Sequence, residues 1–509
     1  MSQRPERLYA ASDFAAGATH TDEADVIIIG SGCAGAAAAR VIAGAGLDCI
    51  VVEEGPWYPL EKRRSDTWTS FRSVWRDSGF QVARGRTMLP MLQGRAVGGS
   101  TVINGAIVHR IPEPILQTWQ KDYGIGDALT LSELTRVYDA LDAELSVKPG
   151  PDDILGQNNK LMRLAAEKGG IRSNVILRNV IGCEAFARCL QSCPNGRKQS
   201  MDLTFLPYAL QKGSRIYSMA RADRIVSQGG RASGVDCTVL AADGKPTGAR
   251  LQLRARKAVI VAASAIQTPL LLAASGIGRR SGQVGRRLQA HPGSSIMGVF
   301  KEPVNMWFGA TQGYETTHYW AEKMKFETVG VPPEVGAARL PGYGPKLMQR
   351  IGEFGHVAQW GAQVRAEAMG RVKKGIFGGT SITYDQTNAD IGRLKIGLKR
   401  LTNMMFDAGA VSVFPGIHGM PEEIYSPKEF DAIDHLPDDP RIFHGIASHM
   451  FGTAVMSADP AKSVVNPMGE CHDLPGCYVA DSSIFPTNMG VNPAHTISAI
   501  AWLIAERLV

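Results

Sequence analysis

Near the N-terminus the chain runs from Asp25 through Val26, Ile27, Ile28 and Ile29 without a polar residue to mark a solvent face. An unbroken β-branched run of this kind predicts a strand covered on both sides, as in a parallel sheet. An Ala-rich segment at 36–45 predicts a helix, and a second apolar strand covers 49–52. The order predicts a βαβ unit. The most apolar stretches, 258–277 and 496–508, are interrupted by Ser, Gln, Thr, Glu or Arg, so neither reads as a membrane-crossing helix. No internal repeat, low-complexity tract or charge block punctuates the rest.

Between the first strand and its helix lies Gly30-Ser31-Gly32-Cys33-Ala34-Gly35. In that setting each glycine has a task. Gly30 permits the tight turn, Gly32 lets backbone N–H groups approach a pyrophosphate, and Gly35 lets helix and strand pack closely. The helix N-terminus stabilises the phosphate charge. An acid about 20 residues on should accept hydrogen bonds from a ribose, and Glu53 or Glu54 fits. An acid there favours a free 2′-hydroxyl over a 2′-phosphate. The motif alone does not separate FAD from NAD.

Composition changes the picture only by exclusion. The 509 residues are 44% hydrophobic and 20% charged, which fits a globular chain with a large core. The net charge of +7 is scattered in pairs such as Arg279-Arg280, Arg286-Arg287 and Lys373-Lys374. No basic stripe with interleaved aromatics appears, so nucleic acid is not an expected partner. Residues 1–20 lack an apolar leader core, and eight cysteines are sparse. A reducing, cytoplasmic setting without a membrane span is the expectation.

Later segments decide the cofactor. Gly94-Arg95-Ala96-Val97-Gly98-Gly99-Ser100-Thr101, running on to Ile103-Asn104-Gly105, resembles the first signature of the glucose–methanol–choline (GMC) oxidoreductases. Ala265-Ile266-Gln267-Thr268-Pro269 with Ser275-Gly276-Ile277-Gly278 resembles the second. Val284-Gly285-Arg286-Arg287-Leu288-Gln289-Ala290-His291-Pro292 is similar to a further family stretch, with Ala290 where Asp is usual. Ser448-His449-Met450-Phe451-Gly452-Thr453, Val479-Ala480-Asp481-Ser482-Ser483-Ile484-Phe485-Pro486 and Asn492-Pro493-Ala494-His495-Thr496 resemble its C-terminal block, in the expected order.

The resemblance implies an α/β fold: a discontinuous Rossmann-like FAD-binding domain with an interleaved α+β substrate domain on an antiparallel sheet. The cofactor segments would be 22–109, 201–292 and 444–509, and the substrate segments 110–200 and 293–443. FAD would lie against Gly30, Gly32, Cys33, Ala34, Gly35, Glu53, Gly98, Gly99, Ser100, Asn104, Ile225, Asp481 and Asn492. Ile103 stands where some members attach flavin through histidine, so non-covalent FAD is expected. The reaction implied is oxidation of an alcohol CH–OH, with oxygen or another acceptor taking the electrons. The family also leaves open a non-redox lyase or photoenzyme, and a flavoprotein subunit of an electron-transfer complex.

Removing a hydroxyl proton suits histidine. By its motif His449 is the expected base, with Asn492 orienting the substrate oxygen. His495, one helical turn after Asn492, ranks second; His291, His109, His444 and His472 are assigned no catalytic part. Trp307, Phe308, Tyr314, Tyr319, Trp320, Phe354 and Trp360 together suggest an apolar pocket for a hydrophobic or aromatic alcohol. Cys183, Cys189 and Cys193 fall within eleven residues. They are candidate ligands of an iron–sulfur cluster, as in some dehydrogenase subunits of the family, against the simpler reading of packed free thiols.

Overall fold

The computed structural model describes residues 4–64, 66–376 and 378–509. The strands 26–29 and 49–52 form as the hydrophobic runs predict, paired in parallel from Val26 with Cys49 to Ile29 with Val52. They sit at the centre of an eight-stranded sheet in the order Leu8–Tyr9, Arg215–Tyr217, Cys49–Val52, Thr19–Ile29, Pro246–Val261, Arg231–Leu240, Ala220–Gln228. Cys477–Val479 joins beside Pro246–Val261, also in parallel. Val26 to Ile28 and Val259 to Val261 are fully buried, which is why their sequence shows no alternation.

Helix Cys33–Gly44 covers this sheet. Its Ala36 to Ala39 are completely buried, and their small side chains let the C-terminal helix Ala494–Glu506 lie directly against it. Gly35 is needed where this helix meets the turn after the first strand, since a Cβ there would fall 1.9 Å from Gly30 O.

A second, eleven-stranded and mostly antiparallel sheet is organised around the long strand Arg286–Val299. That strand pairs with Val357–Val364, Gly370–Lys374, Ser412–Phe414 and Ile446–Phe451. Met324–Thr328 continues the sheet beyond Val357–Val364. Two-residue periodicity gives it two unlike faces. Ile296, Phe326, Met324, Ala358, Trp360 and Ala362 pack with Ile391, Leu394, Leu398 and Leu401 of helix Asn388–Asp407. The opposite face carries Ser295, Lys325, Glu327, Gln359 and Gln363 toward the first sheet. Ile446–Phe451, grouped with the cofactor segments by sequence, hydrogen-bonds in this second sheet. Among the described residues no helix is long and apolar enough to cross a membrane.

Two glycine substitutions separate packing from cavity positions. Gly35→Ala should destabilise the protein by about 1–3 kcal/mol through overpacking. Gly32→Ala, whose Cβ would meet nothing nearer than Gly99 Cα at 3.9 Å, should cost under about 0.5 kcal/mol. Thermal melts of the ligand-free protein would contradict this packing if the two losses were equal.

Candidate active site

Between the sheets lies a cavity of about 930 Å³. At one end it is lined by Gly30, Ser31, Gly32, Cys33 and Ala34. Gly30 takes a left-handed φ of 100°, and a Cβ on it would meet Ala262 O at 2.3 Å. Gly32 instead opens onto the cavity and leaves the first N–H groups of helix Cys33–Gly44 facing it. Gly99 closes the cradle from the other side, where a Cβ would lie 2.7 Å from Gly32 Cα. Ser100 and Asn104 line the same wall. Gly98 does not; it shapes the turn, and its N–H donates to Ser31 Oγ at 3.0 Å.

Glu53 and Asp481 both border the cavity while braced from behind. Glu53 accepts from Ser31 Oγ at 2.6 Å and from Gly55 N at 2.7 Å. Asp481 accepts from Ser264 N at 2.9 Å and Ser483 N at 2.8 Å. Burial raises both carboxyl pKa values against these hydrogen bonds. Glu54 lines the cavity too and pairs with Arg76 at 2.8 Å. Ile225 is a correction: its N–H donates to Ser275 Oγ at 2.9 Å and its side chain is in the core. The part of that strand on the cavity is Ala220 to Asp223.

At the far end His449 and Asn492 come together. His449 lies on Ile446–Phe451 and Asn492 on the turn before the last helix, yet His449 Nε2 and Asn492 Nδ2 are 3.4 Å apart. Behind His449, its Nδ1 lies 3.2 Å from Nδ1 of buried His291, whose Nε2 accepts from Gly490 N–H at 2.9 Å. Burial, with the charges of Lys325 and His109, pushes the His449 imidazole down to about 3. It is neutral at pH 7. His495 points elsewhere, stacked on Tyr138 and 2.9 Å from Asp142.

A buried charge network, not anticipated from sequence, fixes Asn492. Its Oδ1 accepts from Lys325 Nζ at 2.6 Å. Lys325, 1% exposed, also meets Glu315 at 2.8 Å and Glu327 at 2.7 Å, and Glu315 meets His109 at 2.9 Å. Burial raises the Glu315 pKa, but Lys325 and His109 outweigh it and hold the carboxyl well below its ordinary range. Glu327 reaches the cavity wall and accepts from Gln312 at 2.7 Å. The signal was present in Met324-Lys325-Phe326-Glu327-Thr328, an alternating strand whose polar face reads as solvent-facing but is enclosed.

The expected aromatic wall is also corrected. None of Trp307, Phe308, Tyr314, Tyr319, Trp320, Phe354 and Trp360 lines the cavity; Trp360 is wholly buried and donates to Asn158. The substrate-side wall mixes Val329, Val331 and Val335 with Ser294, Ser295, Gln359, Gln363 and Arg339.

The cysteine loop is tied to its surroundings by hydrogen bonds. Cys189 Sγ accepts from Arg178 Nη2 at 2.9 Å, and Cys193 Sγ from Lys198 N at 3.4 Å. Buried Lys198 donates to Val102 O, Asn104 O and Cys189 O, tying the loop beneath Asn104. Among the described residues no His, Cys, Asp and Glu side chains are grouped to hold a metal ion, so the iron–sulfur expectation finds no support.

A glycine cradle on the parallel strands of one sheet, closed by the polar face of an antiparallel one, defines an α/β architecture. The GMC oxidoreductase model matches residues 24–293 and 379–501, so the chain belongs to the GMC oxidoreductase family and is an FAD-binding oxidoreductase. An uncharacterized GMC-type oxidoreductase of Mycobacterium tuberculosis is 35% identical, over 96% of this chain and 76% of its own. A long-chain-alcohol oxidase of Arabidopsis thaliana is 27% identical, over 96% and 67%. The crystal structure of pyridoxine 4-oxidase from Mesorbium loti shares the fold, with TM-score 0.67 at 17% identity over 95% and 98% of the two chains. Aspergillus oryzae formate oxidase does so with TM-score 0.72, at 17% identity over 96% and 99%.

Replacing Lys325 tests the network. Lys325→Met strands buried carboxylates and should cost about 3–5 kcal/mol at neutral pH. Without the cation their folded pKa values rise, so the carboxyls take up protons as pH falls and the stranded charge disappears. The deficit relative to wild type should therefore shrink from roughly pH 8 to pH 5. Thermal midpoints across that range that fell in parallel would contradict it.

Proposed function

We propose that the chain oxidises the CH–OH group of an alcohol at the His449–Asn492 end of the cavity, passing the electrons on to oxygen or another acceptor. The observation that carries this reading is the pair itself, an imidazole and a carboxamide 3.4 Å apart on the cavity wall and each fixed from behind. FAD would be held non-covalently by Gly30, Gly32, Glu53, Gly99, Ser100 and Asn104, with Asp481 at the same wall; Ile103 offers no nucleophile for attachment. Bound FAD supplies the hydride acceptor.

Proton placement follows from the hydrogen bonds. Because Gly490 N–H occupies His291 Nε2, a neutral His291 carries its proton on Nδ1 and donates it to His449 Nδ1. His449 then holds its own proton on Nε2. Because Lys325 occupies Asn492 Oδ1, the Asn492 NH₂ faces the same space. The two donors hold an alcohol oxygen as negative charge builds on it.

A second placement makes His449 the base. With the shared proton on His449 Nδ1, His291 takes its proton on Nε2 and gives up the Gly490 N–H bond. Buried Asn488 Oδ1, without a partner among the described residues, is there to accept it. His449 Nε2 then has the lone pair that removes the hydroxyl proton. His291 positions the base by exchanging the shared Nδ1 proton with it, and Asn488 accepts a hydrogen bond without taking up a proton.

Anaerobic stopped-flow reduction of bound flavin by an aliphatic alcohol tests both roles. His449→Ala should slow it by about 10²–10⁴-fold with flavin retained; unchanged reduction would remove His449 from the chemistry. His291→Asn keeps a donor toward His449 but ends the exchange. Its proton inventory should become linear where the wild type curves, and a curved inventory in the variant would exclude the exchange.

A further inference from the structure

Several enclosed cations of this protein sit beside a carboxylate; Arg178 and Lys198, held by carbonyl and thiol groups, do not, and neither does half-buried Arg339. Arg63 is paired with Asp202, Arg76 with Glu54, Lys325 with Glu315 and Glu327, and Arg350 with Glu422 and Glu423. Among the described residues no carboxylate lies within 4 Å of Arg339, and it lines the same cavity as His449 and Asn492. Its partners are neutral: Nη1 donates to Ser295 Oγ, and Nη2 to Ser295 O at 2.8 Å. Gln359 Nε2 fixes Ser295 Oγ from the other side at 2.9 Å. The guanidinium is thus aimed by a prepared seat, and three of its five N–H groups remain free of Ser295.

Burial alone lowers the Arg339 pKa, to about 10, so it stays charged at neutral pH. Its charge in turn helps depress His444, another cavity-lining group. Glu327 on the same side is engaged by Lys325. Taking a cation even partly out of water with no counter-charge costs free energy unless a ligand brings one. The planar fork of arginine matches a carboxylate.

The strand Arg286–Val299 sets the spacing. His291, touching His449, and Ser295, seating Arg339, lie on one face of it four residues apart. At about 3.3 Å per residue the separation is roughly 13 Å. Val329, Val331 and Val335 line the same cavity and supply apolar wall. We infer that Arg339, seated on Ser295, is the carboxylate subsite of this cavity, and that the substrate is an aliphatic alcohol carrying a carboxylate at the end remote from its hydroxyl. The identity of the reacting end rests on the alcohol-oxidising reading above; the anion subsite does not.

The flavin-loaded protein tests each part separately. Binding of decanoate, which has no hydroxyl to oxidise, is measured by calorimetry in wild type, Arg339→Met and Arg339→Lys. Arg339→Met should weaken it by roughly 10- to 100-fold, with partial recovery in Arg339→Lys; equal affinities, or no binding to wild type, would overturn the subsite. Should Arg339→Met fail to fold, Ser295→Ala, which unseats the guanidinium, should weaken decanoate in the same direction. Flavin reduction by 10-hydroxydecanoate, its methyl ester and decan-1-ol then reads the substrate class. The wild type should favour the acid over the ester by roughly 10- to 100-fold in kcat/KM, and the ratio should approach one in Arg339→Met. A wild-type preference for the ester or decan-1-ol would overturn the substrate class. Decanoate binding that depends on Arg339, without flavin reduction by any of the three, would uphold the subsite and refute alcohol oxidation.

Discussion

The register of one strand, Arg286–Val299, governs the whole site. It forms ladders with four other strands, so sliding it would break hydrogen bonds on both edges at once. A slip of one residue would also turn Ser295 toward the apolar layer and Ile296 toward the cavity. The burial of Ile296 with Trp360 and Leu398 forbids that. The apolar face against helix Asn388–Asp407 therefore decides which polar side chains face the reacting end, and how far apart they stand.

That polar face would be unstable if its charges were left single. Lys325 lies between two carboxylates, and its third bond goes to Asn492 Oδ1. The consequence is directional. A carboxamide free to rotate would present oxygen or nitrogen with similar ease, but with its oxygen occupied only the NH₂ can face His449. His449 is kept uncharged by burial and by the nearby cation, as the proposed proton exchange with an alcohol requires.

What was legible in sequence was what depends on neighbours along the chain. The turn at Gly30, the open backbone at Gly32 and the close packing at Gly35 all belong to one short βαβ unit, and spacing alone exposes them. His449 and Asn492 were legible through the resemblance of their motifs, not through any local physical signal. Ile225 was misplaced because sequence does not reveal where along a strand a cavity begins. The aromatic residues were misread because a Trp in a core and a Trp in a pocket look alike in one dimension. Lys325 and Glu327 were missed because alternation reports two faces without saying that the polar one is enclosed. His291 and Arg339 acquire meaning only from strand pairing across the sheet.

The interleaving of the chain has a chemical consequence. Asn492 is delivered from the first sheet's side, on a turn leading into a helix packed against Cys33–Gly44. Lys325, which orients it, and His449, which it faces, both belong to the second sheet. Neither sheet therefore carries a complete reacting end. Docking of the two creates the Lys325–Asn492 bond and the His449–Asn492 approach together, and the same docking brings Gly99 against Gly32 at the opposite end. A displacement of one sheet by an ångström would lengthen contacts at both ends of the cavity. The glycine cradle and the orientation of the carboxamide thus depend on one fit between the two sheets.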